Sequence, residues 1–162
     1  MRVPEPIKIL LLVLGATAFY TYVGQLVPQK MVLPPQETVM SADMTTDDLV
    51  QVGLEIAEGK GLCFTCHTIG KSGSLRFSDL DGIANLAEGR IEGVGGLEYL
   101  AQSIYAPDTY IVDGFAKGMP QINKPPIGLN DQEMLAVIAY LQSLGGTPSV
   151  TLETTLADLG VE

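Results

Sequence analysis

The residues in this chain best suited to chemistry are Cys63, Cys66 and His67, in the run Cys63-Phe64-Thr65-Cys66-His67. The chain has two cysteines and one histidine, and all three fall inside these five positions. A C-x-x-C-H run reads as a site where haem is attached through two thioether bonds, with the histidine as an axial iron ligand. Two residues between the thiols let one tight turn reach both vinyl groups of a haem. The histidine directly after the second thiol is then held against one face of the ring. Other uses of cysteine fit less well. A structural zinc site needs four ligands, and only three Cys/His residues exist here. A redox dithiol sits in a βαβ setting that this sequence does not show. A plain disulfide leaves the adjacent lone histidine unexplained.

With His67 the only histidine, a second axial histidine is excluded, and a methionine thioether is the expected sixth ligand. Six methionines are available. Met1 and Met31 lie near the N-terminal apolar run, and Met40 and Met44 precede the first helix of the domain. Met134 falls on the apolar face of the last helix, where methionine commonly fills core space. Met119 alone sits in a glycine- and proline-braced loop, Gly114-Phe115-Ala116-Lys117-Gly118-Met119-Pro120. Such a loop suits holding a thioether at iron, and Met119 is the candidate. Two alternatives stay open: Met119 covers the haem without binding iron, or the sixth position is open, as in gas-binding or peroxidase-like haem proteins. No catalytic base or nucleophile constellation is visible, so no catalytic residue is assigned and the chain is not expected to be an enzyme alone.

These residues need elements to position them, and the sequence supplies four segments. Residues 1–29 form an expected transmembrane anchor. From Ile9 to Gln29 there is no charged residue, and 21 residues of helix span roughly 32 Å, about the hydrocarbon thickness of a bilayer. Tyr20 and Tyr22 lie near its far end, where interfacial aromatics are common. Ala16-Thr17-Ala18 resembles a signal-peptide cleavage site, and neither cysteine is free for a lipid anchor; an uncleaved anchor helix is the expectation. Arg2 and Lys8 precede the span and Lys30 is the first charge after it. The positive-inside rule therefore puts the N-terminus in the cytoplasm and residues 30–162 outside.

Residues 30–45 read as a linker stiffened by Pro34 and Pro35, with apolar Met31, Val32, Leu33, Val39 and Met40 suggesting that it lies along another surface. Residues 46–146 are the expected haem domain. Thr45-x-x-Asp48 resembles a capping box, and Leu49, Val52, Gly53 and Ile56 recur at helical spacing up to Gly59. A glycine-rich stretch over 68–95 holds one helical turn around Ile83–Ala87. Leu97, Leu100, Ala101 and Ile104 then face the core from a short helix that ends before Pro107. Asn130-x-x-Glu133 starts a final helix, with Met134, Val137, Ile138, Leu141 and Leu144 on one face and Gly145-Gly146 closing it. Residues 147–162 form a tail of modest β propensity without site residues.

Net charge is −10 and the pI is near 4.4. That field disfavours nucleic acid and anionic lipid surfaces as partners. Beyond Thr45 there are sixteen acidic residues and six basic ones. Four of the six, Lys60, Lys71, Lys117 and Lys124, flank the Cys63–His67 run or the segment around Met119. Both ordinary solvation and a docking role are open for them.

The order helix, C-x-x-C-H, glycine-rich loop, short helix, Gly-x-Met-Pro-like loop and C-terminal helix resembles a class I c-type cytochrome over roughly residues 45–146. The resemblance implies an all-α, class I cytochrome c fold of short helices around one covalent haem c, preceded here by a transmembrane helix. It implies Cys63, Cys66 and His67 as haem-binding residues and Met119 as the second iron ligand. Gly53 and Tyr140 look like the family's small-residue and aromatic pair where the first and last helices cross. There are two departures. The proline whose carbonyl takes the histidine's ring N–H is replaced by Ser78, in the run Arg76-Phe77-Ser78-Asp79-Leu80, and a serine carbonyl can accept the same bond. An aromatic often found on the first helix is Ala57 here. The stretch from Tyr99 through Pro107, Tyr110 and Phe115 to Pro120 is similar to cytochrome domains built into respiratory membrane complexes. With the anchor, it most resembles the mono-haem cytochrome subunit of alternative complex III, a quinol-oxidising assembly. That resemblance implies partner subunits of a membrane redox complex and a soluble electron donor or acceptor protein. Rival expectations are a tethered shuttle between complexes and a haem enzyme or gas sensor with an open iron site.

Overall fold

The computed structural model describes residues 3–28 and 40–161. These fall in two units, each taken by itself. The expected linker positions 30–39, the flanking charges Arg2 and Lys30, and Met1 and Met31 lie outside the described residues.

The first unit is one helix, α1, Glu5–Leu26. Pro6 sits in its first turn, where a missing N–H costs no hydrogen bond. None of its side chains is buried, and it carries an 18-residue window of mean hydropathy 1.7. Leucine, isoleucine, valine and phenylalanine cover its whole circumference, so it has no polar face on which to rest at a water-facing surface. Its 22 residues rise about 33 Å. By length and composition the helix is able to cross a membrane.

The second unit is helical, with no strand among the described residues: α2, Thr46–Glu58; a short 3₁₀ turn, Cys63–Thr65; α3, Ile83–Ala87; α4, Gly96–Tyr105; and α5, Asp131–Ser143. Two capping boxes start its long helices. Asp48 N–H donates to Thr45 Oγ1 at 3.2 Å while Thr45 N–H donates to the Asp48 carboxylate at 2.8 Å. Asn130 and Glu133 repeat the arrangement on α5 at 2.9 and 2.8 Å. Each box satisfies two donors that a helix start leaves without partners.

Helix α5 is the centre of the unit, and every residue from Glu133 to Gln142 is buried. It crosses α2 at Gly53. A Cβ on Gly53 would meet the Ala136 carbonyl oxygen, and would lie 2.6 Å from the Ala136 carbonyl carbon and 2.7 Å from Tyr140 Cβ. Only glycine permits the backbones to approach this closely, so the expected Gly53–Tyr140 crossing is present. With Ala57 small, the aromatic neighbour of Tyr140 is Phe64 from the C-x-x-C-H run, edge-on at 6.4 Å. Met134 is fully buried and packs in the core.

The tail behaves differently from its β propensity. It forms turns, because the Thr151, Thr154, Thr155 and Asp158 side chains accept from the backbone N–H groups that a strand would use. Gln142 Oε1 accepts from Ser149 N–H at 3.0 Å, tying the tail to the end of α5. Val150 and Leu159 are buried with the helices.

Candidate functional site

The chain leaves α2 at Gly59 and folds back sharply, with Gly61 N–H donating to Ile56 O at 2.7 Å. A Cβ on Gly61 would stand 2.9 Å from that same oxygen, so this turn too depends on glycine. Leu62 then adopts φ +56°, the one non-glycine residue with positive φ among the described residues. An L-residue pays roughly 1–2 kcal/mol for that conformation. The strain falls at the entry to the C-x-x-C-H run. From there Cys66 N–H and His67 N–H both donate to Cys63 O, at 3.2 and 2.9 Å. One tight turn therefore carries both thiols and the imidazole. Cys63 is half-buried and Cys66 exposed. Burial pushes the Cys63 thiol pKa up.

His67 Nδ1 lies 2.8 Å from Ser78 O. A carbonyl oxygen only accepts, so this contact puts the proton on Nδ1 and leaves the Nε2 lone pair free for a metal. Ser78 thus does with its carbonyl what the sequence allowed it to do. The approach of residues 68 and 79 is fixed by a bridge in which Leu80 N–H donates to Thr68 O at 2.8 Å.

Met119 sits in the segment between α4 and α5. Gly118 before it has φ +145°, which suits glycine and little else. Pro120 after it restricts Met119 itself to extended conformations. Met119 is partly buried against the core.

These pieces meet around one cavity of about 310 Å³. Cys63, Cys66, His67 and Met119 all line it, together with Tyr99 and Ser103 of α4 and Ile111, Val112 and Phe115 of the following loop. Among the described residues, no Asp, Glu, Lys or Arg lines it. Among the described residues, no three His, Cys, Asp or Glu side chains gather as a site for a bare metal ion. Two thiols, an imidazole with one nitrogen engaged and a thioether, all on an uncharged and largely apolar cavity, fit a flat apolar macrocycle carrying its own iron.

Sequence reasoning missed how this cavity is braced. Lys60 Nζ contacts both carboxylate oxygens of Glu133, at 2.8 and 2.7 Å, and the Glu133 side chain is 3% exposed. The residue three positions before Cys63 is thereby fastened to the start of α5. Lys60 is consequently not a free surface cation. Lys71, Lys117 and Lys124 make no ion pair among the described residues. Seventy-three residues separate Lys60 from Glu133, and no local pattern could have paired them.

The family model for cytochrome c matches residues 55–145, more than half of the chain, and the chain belongs to that family. Members bind haem c covalently and generally transfer electrons, and the two cysteines at 63 and 66 with His67 have the spacing of the attachment motif. None of the curated proteins matches this chain.

Proposed function

We propose that this chain is a membrane-anchored, mono-haem cytochrome c that passes single electrons on the outer side of the cytoplasmic membrane. Cys63 and Cys66 would hold the haem, and His67 and Met119 would be its iron ligands. The observation that carries the reading is the convergence of these four side chains on one uncharged cavity. Bound haem supplies a one-electron Fe(III)/Fe(II) couple whose potential depends on axial ligands and burial.

The chain's own residues do the positioning. The Cys63–Thr65 turn presents two thiols two residues apart. Ser78 O fixes the tautomer and ring orientation of His67, and a hydrogen bond to Nδ1–H makes the other nitrogen a better donor. Ile111, Val112 and Phe115 exclude water and lower the local dielectric. A thioether at the sixth position favours the reduced state relative to a second imidazole.

Replacing Met119 by alanine tests the ligand set. The expected result is a variant that keeps its covalent haem and turns high-spin and accessible to added cyanide. An unchanged low-spin spectrum would remove Met119 from the iron, and a parent already high-spin would favour an open-site haem protein.

The apolar helix α1 supports retention at the membrane through residues 9–29, and Arg2 and Lys8 before the span against Lys30 after it support a cytoplasmic N-terminus. An anchor confines the domain near its redox partners and raises their effective concentration. The resemblance over Tyr99–Pro120 supports a fixed place in a quinol-oxidising complex of the alternative complex III kind, with other subunits and a soluble donor or acceptor protein as partners. A native gel of mildly solubilised membranes, stained for haem, separates the cases. Migration in a large multi-subunit band supports the subunit reading, and a small solitary band supports a tethered shuttle.

A further inference from the structure

The loop that brings Ser78 to His67 has little of its own to hold it. Residues 71–74 are exposed. Besides the Thr68–Leu80 backbone bond, what ties its two arms together is the carboxylate of Asp79. That group accepts from Thr68 Oγ1 at 2.6 Å, from the N–H groups of Gly70 and Lys71 at 2.9 Å each, and from Asp81 N–H at 2.9 Å. Thr68, Gly70 and Lys71 follow His67 directly in sequence, and Ser78 precedes Asp79. Together with the Thr68–Leu80 backbone bond, this one side chain sets where residue 78 stands relative to residue 67.

Ser78 offers His67 Nδ1 two oxygens, the carbonyl at 2.8 Å and the hydroxyl at 3.5 Å. Serine has no ring to restrict its φ, so residue 78 itself does not choose between them. The geometry points to Asp79 as the positioning residue for His67: its carboxylate holds the Ser78 carbonyl on the imidazole N–H and so sets the donor strength of the histidine toward iron. This rests on His67 being an iron ligand. The Thr68 hydroxyl, ahead of the backbone donors, holds the Asp79 carboxyl at a pKa of about 2. The clamp is therefore ionised wherever the protein works. A carbonyl on Nδ1–H makes the imidazole more electron-rich and favours the oxidised iron. A loosened clamp moves the potential upward.

The test uses the haem-loaded full chain and Asp79→Ala. Its readouts are the solvent exchange rate of the His67 Nδ1 proton by NMR and the reduction potential. Loss of a strong hydrogen bond predicts exchange faster by about ten- to a hundredfold, with a raised potential. Thr68→Val removes one of the four donors and should move both readouts the same way by less. Leu159→Ala, which cuts a buried side chain of the tail, serves as the control that lowers stability without touching the loop. It should leave both readouts at the parent values. If Asp79→Ala does not mature, Asp79→Asn and Thr68→Val carry the same test. Parent-like exchange and potential in these variants, or equal changes in Leu159→Ala, would overturn the role of Asp79. A parent spectrum without histidine ligation would instead sink the reading of His67 itself, and it is recorded before any variant is made.

Discussion

Around His67 the chain is tied by hydrogen bonds; around Met119 it is shaped by what glycine and proline allow. On the first side Cys63 O, Ser78 O and the Asp79 carboxylate together accept seven hydrogen bonds from the motif and its loop. The Lys60–Glu133 pair then fastens that side to α5. On the second side, no backbone hydrogen bond among the described residues, beyond a turn, closes the loop between Phe115 and Gln121. Met119 is held by the φ +145° of Gly118, by the ring of Pro120 and by packing. As the proposed iron ligands, an over-determined His67 and a lightly held Met119 imply different labilities. The histidine should stay on the iron through changes that release the methionine.

His67→Ala should abolish stable low-spin haem, whereas Met119→Ala should retain the haem, as optical spectra of the two purified proteins would show. Equal behaviour of the two variants would erase the asymmetry. Next in size is the ion pair. Lys60→Met strands a buried carboxylate and should cost about 3 kcal/mol of unfolding free energy in a denaturant titration. Adding Glu133→Leu to that variant should recover part of the loss, since replacing a buried pair costs less than breaking one. Gly118→Ala puts an L-residue at φ +145° and should cost about 2 kcal/mol. It should nevertheless raise the rate at which cyanide displaces the sixth ligand, measured by stopped flow, and leave the Nδ1 proton of His67 protected.

The smallest effect is a pH dependence. The Asp79 carboxyl is lowered from 3.8 to about 2 by the Thr68 hydroxyl and backbone N–H groups. The folded state therefore binds this proton less readily than the unfolded chain. Its contribution is complete above about pH 4 and is lost as pH falls through about 2. The stability difference between the parent and Asp79→Asn, followed by circular dichroism during acid titration, should shrink across that window and stay constant above it.

How much of this was legible in the chain follows from the range of the interactions. The capping boxes at Thr45 and Asn130 are three-residue patterns, so the starts of α2 and α5 could be read directly. The Cys63–His67 run is local too. Gly53 and Tyr140 were paired through resemblance, and the close α2–α5 approach gives that pair its physical reason. The Ser78 carbonyl was an allowed acceptor from the start. What holds it, the Asp79 carboxylate, was hidden because an Asp between serine and leucine in a polar loop looks like ordinary surface. Lys60 reads in the sequence as a surface lysine near the motif, solvated or docking, for want of any signal across 73 residues. The tail misled for a different reason: threonine and valine favour strands on average, but Thr155 and Asp158 spend their side chains capping a turn.

The most direct measurement on the central claim is the intact mass of the chain, denatured after production in a host able to attach haem. Covalent attachment should give a mass greater than the polypeptide by one haem, with neither Cys63 nor Cys66 open to alkylation. A mass equal to the bare polypeptide, with both thiols alkylated or joined as a disulfide, would contradict it.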